Sequence, residues 1–341
     1  MPILPFDQPN LHVEDYWRGI VLYGRNVTSY KFALAASLLE LKPASGDLVR
    51  LEELADPFTR HLRKHLSDAD KQSTSPAPGG GKFLVACRGA TRGEVDDTDL
   101  IEIAVRDGFV NVIDAFHRVG PDDVPKRFFL DERSDNGGIR ITDSFSELLE
   151  RSQFSNLPIE NEARWKLVET AWELGVSQSL IAVNYDHDIE SLFVVDRSRR
   201  RKPITGARKA LSGYQNGHCF FCFSGFSLLD DAPPEVDHFF PHVLMARDLE
   251  VPLDGVWNLV LACRRCNRDK AARVPKPRLL KRLSSRNEFL IKSHNPLQET
   301  LRLQTGRKES ERRDFLAGVH REALVSLIHE WEPDEEGEEL F

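Results

Sequence analysis

The sequence predicts an α+β protein: an α-rich N-terminal domain followed by a smaller, zinc-stabilised C-terminal domain. Three observations carry this. Apolar residues recur at helical spacing through much of the first two hundred positions, four of the five cysteines stand in two C-x-x-C pairs, and charge is divided unevenly along the chain.

The chain has 341 residues, 40% hydrophobic and 29% charged. That length suits about two domains of ~150 residues. No run of about 18 apolar residues occurs, so no membrane span is expected. The stretch MPILPFDQPNLHVEDYWRG lacks a basic segment followed by an apolar one, so no signal peptide is expected and the default compartment is the cytoplasm. Residues 196–292 hold 19 basic and 10 acidic side chains, a balance of +9 in a chain whose net charge is −8, which leaves −17 elsewhere. A basic segment in an acidic chain suggests a local site for a polyanion.

The elements follow in order. In residues 14–42, Ile20, Tyr23, Val27, Phe32, Ala35, Leu38 and Leu39 recur at helical spacing, with Gly24 as a candidate break. A second amphipathic helix is expected over 50–66. The polar stretch SDADKQSTSPAPGGGK, residues 67–82, is rich in Ser, Pro and Gly and is expected to be a flexible loop. Residues 98–118 suggest one long helix capped by Thr98. Asn136-Gly137 between two apolar runs signals a hairpin. Residues 160–177 suggest a helix with Trp165, Val168 and Trp172 on one face, and 179–196 two short strands with a turn. Seven basic residues between Arg197 and Lys209 mark the expected domain boundary. The domains are therefore 1–196, 197–330 and an acidic tail, 331–341, expected to be disordered. His61, His65, His117 and His187 are expected to be surface or structural residues, and Cys87, in FLVAC, a buried thiol.

The C-terminal chemistry lies in HCFFC, EVDHFFPH and WNLVLACRRCNRDK. Cys219, Cys222, Cys263 and Cys266 can supply four thiolates to tetrahedral zinc at about 2.3 Å per bond. Forty residues separate Cys222 from Cys263. That exceeds the common ~15–20-residue spacing, so a further folded segment is expected between the knuckles. His218 is a replacement ligand that four cysteines make unnecessary.

The order C-x-x-C, Asp237-His238, Asn258, C-x-x-C, Asn267-x-x-Lys270 resembles the zinc-knuckle branch of the HNH endonucleases. The resemblance covers about 55 of the 341 residues. It implies a ββα-metal domain that hydrolyses phosphodiester bonds in DNA, set in bacterial restriction or antiphage defence. A helicase or another defence subunit is the implied kind of partner. His238 becomes the general base, a role suited to an imidazole near neutral pH. Asp237 and Asn267 become oxygen ligands to a catalytic Mg²⁺ or Mn²⁺, and Asn258 orients the loop. Many members have His at the last position, where this sequence has Asn267. His242 is the alternative base or a substrate contact. Arg268 and Lys270 are candidate phosphate contacts, at the head of a basic series that runs through Arg264, Arg265, Arg273, Lys276, Arg278, Lys281 and Arg282. Two alternatives stand beside this reading: a noncatalytic zinc module that binds nucleic acid within a larger complex, and an RNase or partner-dependent nickase.

Overall fold

The computed structural model describes residues 11–24, 26–75, 78–119, 122–173, 183–186, 190–195, 201–247, 251, 253–292 and 297–337. It mixes helices with small sheets. Contacts divide the chain into two units, one spanning residues 5–175 and the other 176–341 together with residues 1–4.

In the N-terminal unit the helix Tyr30–Leu41 packs against Leu51–Asp68 and Leu157–Glu173. Their shared core holds Phe32, Phe58, Leu62, Trp165 and Val168, all essentially without solvent contact. Gly24 does end the first helical stretch. The helix Val13–Arg18 widens into a π-turn at Gly19–Tyr23, and a Cβ on Gly24 would meet the Ile20 carbonyl at 2.5 Å. The expected helix over 98–118 is broken instead. Asp96, not Thr98, caps Asp97–Ile103, and a π-turn at Ala104–Gly108 precedes a short helix, Val112–Ala115. Gly108 lies beneath Phe83 and Phe58, where a Cβ would stand 3.0 and 3.3 Å from the rings, so only glycine lets them pack this close.

The Asn136-Gly137 signal is a hairpin, with Phe129–Glu132 antiparallel to Gly138–Ile141 in register Glu132↔Gly138. A helical turn, Arg133–Asn136, joins the strands, and Gly137 takes φ +69°, a left-handed conformation that suits glycine. Leu48–Arg50 adds a third strand beside Gly138–Ile141. Part of the expected flexible loop is pinned: Gln72 is fully buried, its carbonyl accepts from the Ser29 N–H at 3.1 Å, and Ser73 bridges to Thr28. Residues 76 and 77 of that loop lie outside the described residues.

The C-terminal unit begins with three antiparallel strands: β1 (Val183–Asp186), β2 (Ser191–Val195) and β3 (Arg201–Gly206), in the order β1-β2-β3. β3 lies across the basic run chosen as the domain boundary. Because β2 pairs with it, the contact division falls before β1 rather than after residue 196. The helix α1 (Ala207–Tyr214) leads to the first knuckle. Then β4 (Glu235–His238) pairs antiparallel with β5 (Leu259–Ala262), and α2 (Arg264–Lys270) follows at once. A short strand β6 (Val274–Pro275) precedes the helices α3 (Pro277–Lys292), α4 (Gln298–Thr305) and α5 (Glu309–Leu327). The chain then returns as β7 (Glu330–Trp331), parallel to β6, with Pro275↔Trp331 in register.

The start of the acidic tail is therefore ordered. Trp331 is buried, its ring edge-on to Phe221 at 5.1 Å, and the Gly337 N–H donates to the Cys222 carbonyl at 2.9 Å. Basic partners in the unit hold the glutamates that composition alone assigned to solvent.

Candidate metal centre and histidine site

β4 is a four-residue strand, and side chains alternate across it. Glu235 and Asp237 turn to α2, whereas His238 turns the other way. In register, His238 faces Leu259 and Asp237 faces Val260 across the hairpin. β5 is apolar throughout and fully buried, which fixes the hairpin to the core. The Gln215 side chain also pairs with the middle of β5 as a strand would, accepting from the Leu261 N–H at 2.8 Å and donating to its carbonyl at 2.9 Å. On another side, Arg286 donates to the carbonyls of Leu259 and Trp257, and Asn287 donates to Trp257.

Nε2 of His238 lies 3.0 Å from Oδ1 of Asp254, and Nε2 of His242 lies 3.7 Å from the same oxygen. The two imidazoles are 5.3 Å apart, and the Tyr185 ring stands 6.0 Å from His238. His238 is buried and His242 half exposed. Asn258 has no solvent contact, and its amide meets three backbone groups. It accepts from the Phe240 N–H at 2.8 Å and donates to the Phe240 carbonyl at 3.1 Å and the Leu253 carbonyl at 2.9 Å. It therefore pins both ends of the loop that carries His242 and Asp254. This is a structural role in the loop between β4 and β5.

The four thiols converge. The Sγ atoms of Cys219, Cys222, Cys263 and Cys266 all lie within 4.8 Å of one another, and Cys222 and Cys263 are 3.8 Å apart. Tetrahedral bonds of about 2.3 Å require S···S separations of ~3.8 Å, so the donor set fits zinc. Backbone N–H groups point to the sulfurs as a thiolate site needs: Cys263 N–H to Cys219 at 3.3 Å, and Cys266 N–H to Cys263 at 3.5 Å. The first knuckle turns on Phe223, at φ +58°, and α3 supports it. Arg282 donates to the carbonyls of Phe220 and Phe221 at 2.9 and 2.8 Å and stacks 4.0 Å over the Phe223 ring. His218 is not one of the four clustered ligands, and its Nδ1 lies 2.6 Å from the Asn216 carbonyl.

Asp237 and Asn267 are near α2 and β4 but do not form an open oxygen cage. Nζ of Lys270 lies 3.0 Å from the Asp237 carboxylate, and Asn267 donates to Glu235 at 2.7 Å. Arg264 is 3.5 Å from Glu235. The oxygen donors suit a hard cation in kind, but the Lys270 ammonium already holds the place a cation would take. Burial pushes the Asp237 carboxyl up, an effect that the ammonium opposes. Among the described residues no further group of three His, Cys, Asp or Glu side chains brings its ligand atoms close enough together to hold a metal ion. The expectation that Lys270 contacts phosphate is corrected here: its side chain is 1% exposed and committed to Asp237. Arg268 is exposed, as a phosphate contact must be. Asp254 is the residue the sequence reading missed. Its signal was present: an acidic residue four before Asn258, in a loop that must return to the hairpin.

The chain matches no family model, no curated protein and no solved structure.

Proposed function

We propose that this chain is a metal-dependent endonuclease of the HNH kind, with the C-terminal unit hydrolysing phosphodiester bonds in DNA. The observation that carries the reading is His238 on a short strand, held by Asp254, in a strand–loop–strand–helix segment that a four-cysteine cluster braces. In this reading His238 takes a proton from water as the water oxygen bonds to phosphorus. The ester P–O bond on the far side breaks, and its oxygen leaves as a hydroxyl after protonation from solvent. Asp254 stabilises the imidazolium so formed and fixes the ring's angle. Asn258 keeps the His242–Asp254 loop at the hairpin, and Arg268 takes the backbone phosphate. Asp237 and Asn267 would hold a divalent cation, which would supply charge neutralisation at the phosphate. That arrangement requires the Lys270 ammonium to move off Asp237.

The Asp237–Lys270 pair also favours a second reading, a noncatalytic zinc-braced module that binds nucleic acid, since such a pair is stable without any divalent cation. One assay separates the two. Plasmid DNA and structured RNA are incubated with purified protein and Mg²⁺ or Mn²⁺, beside the His238→Ala variant. Cleavage by wild type and none by the variant supports the nuclease. Binding without cleavage by either protein supports the module. Equal cleavage by both removes His238 from the mechanism.

A further inference from the structure

Between Trp331 and Gly337 the chain forms a strap fixed at both ends, by β7 upstream and by the Gly337 N–H bond to Cys222 downstream. Three glutamates lie between the anchors. Glu332 meets Lys276 at 2.5 Å and Arg278 at 2.6 Å. Glu336 meets Arg278 at 2.6 Å and Arg282 at 3.4 Å, and Glu335 meets Arg265 at 2.9 Å. The cations come from α2, α3 and the turn between them, and the strap's carboxylates reach all of them. A cavity of about 480 Å³ remains between strap and knuckles, bordered by Cys222, Arg265, Asp269 and Trp331. The strap is thus not packed down as a core element would be. The Arg265–Glu335 pair is 58% and 79% exposed. An exposed pair of this kind adds little stability and is screened by salt, so stability does not account for the Arg265–Glu335 alignment, while the Glu332 and Glu336 pairs are partly buried.

We infer that Glu332, Glu335 and Glu336 occupy the surface on which a nucleic-acid phosphate backbone binds, as a built-in competitor that the nucleic acid displaces. The inference rests on the nucleic-acid reading above. A phosphate backbone offers Arg265, Lys276 and Arg278 a row of anionic oxygens, whereas Arg282 stays turned inward to the knuckle. Arg268 on α2 and Lys281 on α3 are exposed and have no ion pair among the described residues, so they remain open for the first encounter. The anchor at β7 stays in place when the strap lifts, and release breaks the Gly337 bond, the exposed Arg265–Glu335 pair and the partly buried pairs of Glu332 and Glu336.

The test uses the full chain with its metal and a fluorescent DNA duplex, read by anisotropy over a salt series. The variant Glu332→Gln/Glu335→Gln/Glu336→Gln should bind about tenfold more tightly at low salt, the size expected for several exposed pairs. Its log–log salt slope should steepen by about one per cation freed for phosphate. Adding Arg278→Gln should reverse the gain. An equal charge change in the N-terminal unit, Glu52→Gln/Glu102→Gln/Glu150→Gln, should not reproduce it. If wild type binds and the strap variant binds identically, the competitor is excluded while the nucleic-acid reading stands. If neither binds at any salt, both fall. Hydrogen exchange on unmodified protein gives an answer independent of variant folding. Duplex should strip protection from the Gly337 amide, and unchanged protection in the bound state overturns the inference.

Discussion

Oδ1 of Asp254 lies 3.0 Å from Nε2 of His238 and 3.7 Å from Nε2 of His242, so one carboxylate is within hydrogen-bond reach of the strand's imidazole and close to a second from the loop beyond it. A carboxylate beside a histidine fixes the ring's tautomer and angle and stabilises its protonated form. Asp254→Asn should therefore reduce kcat about tenfold to a hundredfold with KM little changed. His238→Ala should cost ~10²–10⁴. Zinc content and melting temperature should be unaffected in both. A loss confined to KM would show that Asp254 contacts substrate instead of positioning His238.

Asn258 offers a test of the scaffold. Asn258→Ala would strand the Phe240 N–H and the carbonyls of Phe240 and Leu253 in a site without solvent. Unsatisfied buried groups cost about 1–3 kcal/mol each. Partial relaxation leaves an expected loss of about 3 kcal/mol, measured as a shift in denaturant midpoint at unchanged slope. A shift within about 0.5 kcal/mol, the range of ordinary surface substitutions, would mean that the loop holds itself.

Purified protein should carry one zinc per chain, seen by elemental analysis. Cys266→Ser should lose it, and a strong chelator should unfold the C-terminal unit while leaving the N-terminal helices intact by circular dichroism. Folded, unchelated protein without zinc would refute the site.

Two buried histidines of the N-terminal unit should give pH dependences of opposite sign. Burial lowers the His117 pKa to about 3, and its Nε2 accepts the Phe128 N–H at 3.0 Å, which demands the neutral ring. A histidine depressed on folding contributes stability above its unfolded pKa of ~6.5 that is lost as pH falls through that range. His65 is stacked on Trp165 at 3.6 Å, and its two nitrogens face Glu169 at 2.9 Å and Glu162 at 3.0 Å. Burial alone would lower its pKa, but the two carboxylates outweigh it and the pKa is raised. The contribution of His65 is full below ~6.5 and is lost as pH rises through the raised value. The penalty of His117→Gln should thus shrink on acidification and that of His65→Gln on alkalinisation, both read by chemical unfolding of the full chain.

What the sequence disclosed was whatever depends on spacing. Two C-x-x-C pairs located a four-cysteine cluster that could hold a metal, because a tight turn presents two sulfurs whatever surrounds it. Helical periodicity located Leu51–Asp68 and Leu157–Glu173, and Asn-Gly located a hairpin. What it withheld was whatever depends on partners distant in the chain. Lys270 looked like a phosphate contact because its neighbours Arg264, Arg265 and Arg268 are basic and exposed; only the folded hairpin brings Asp237 to it. Arg282 was grouped with the same surface cations, yet it turns inward to cap the carbonyls of Phe220 and Phe221. The helix expected over 98–118 is interrupted by a π-turn at Ala104–Gly108, where Gly108 lets the rings of Phe83 and Phe58, distant in the sequence, pack close. The division between units escaped the basic run because a strand can be basic and still pair, as β3 does.

The parallel pairing of β6 with β7 has a consequence for the order in which the protein becomes competent. During synthesis the knuckles and the strand bearing His238 emerge well before Trp331. Until Trp331 arrives, β6 has no partner and Phe221 has no ring against it. A nascent chain can gather its zinc, but the module lacks its closing strand until three more helices have been made. Chains interrupted before that point carry every residue of the His238 site, but leave β6 unpaired and the Phe221 ring of the first knuckle uncovered.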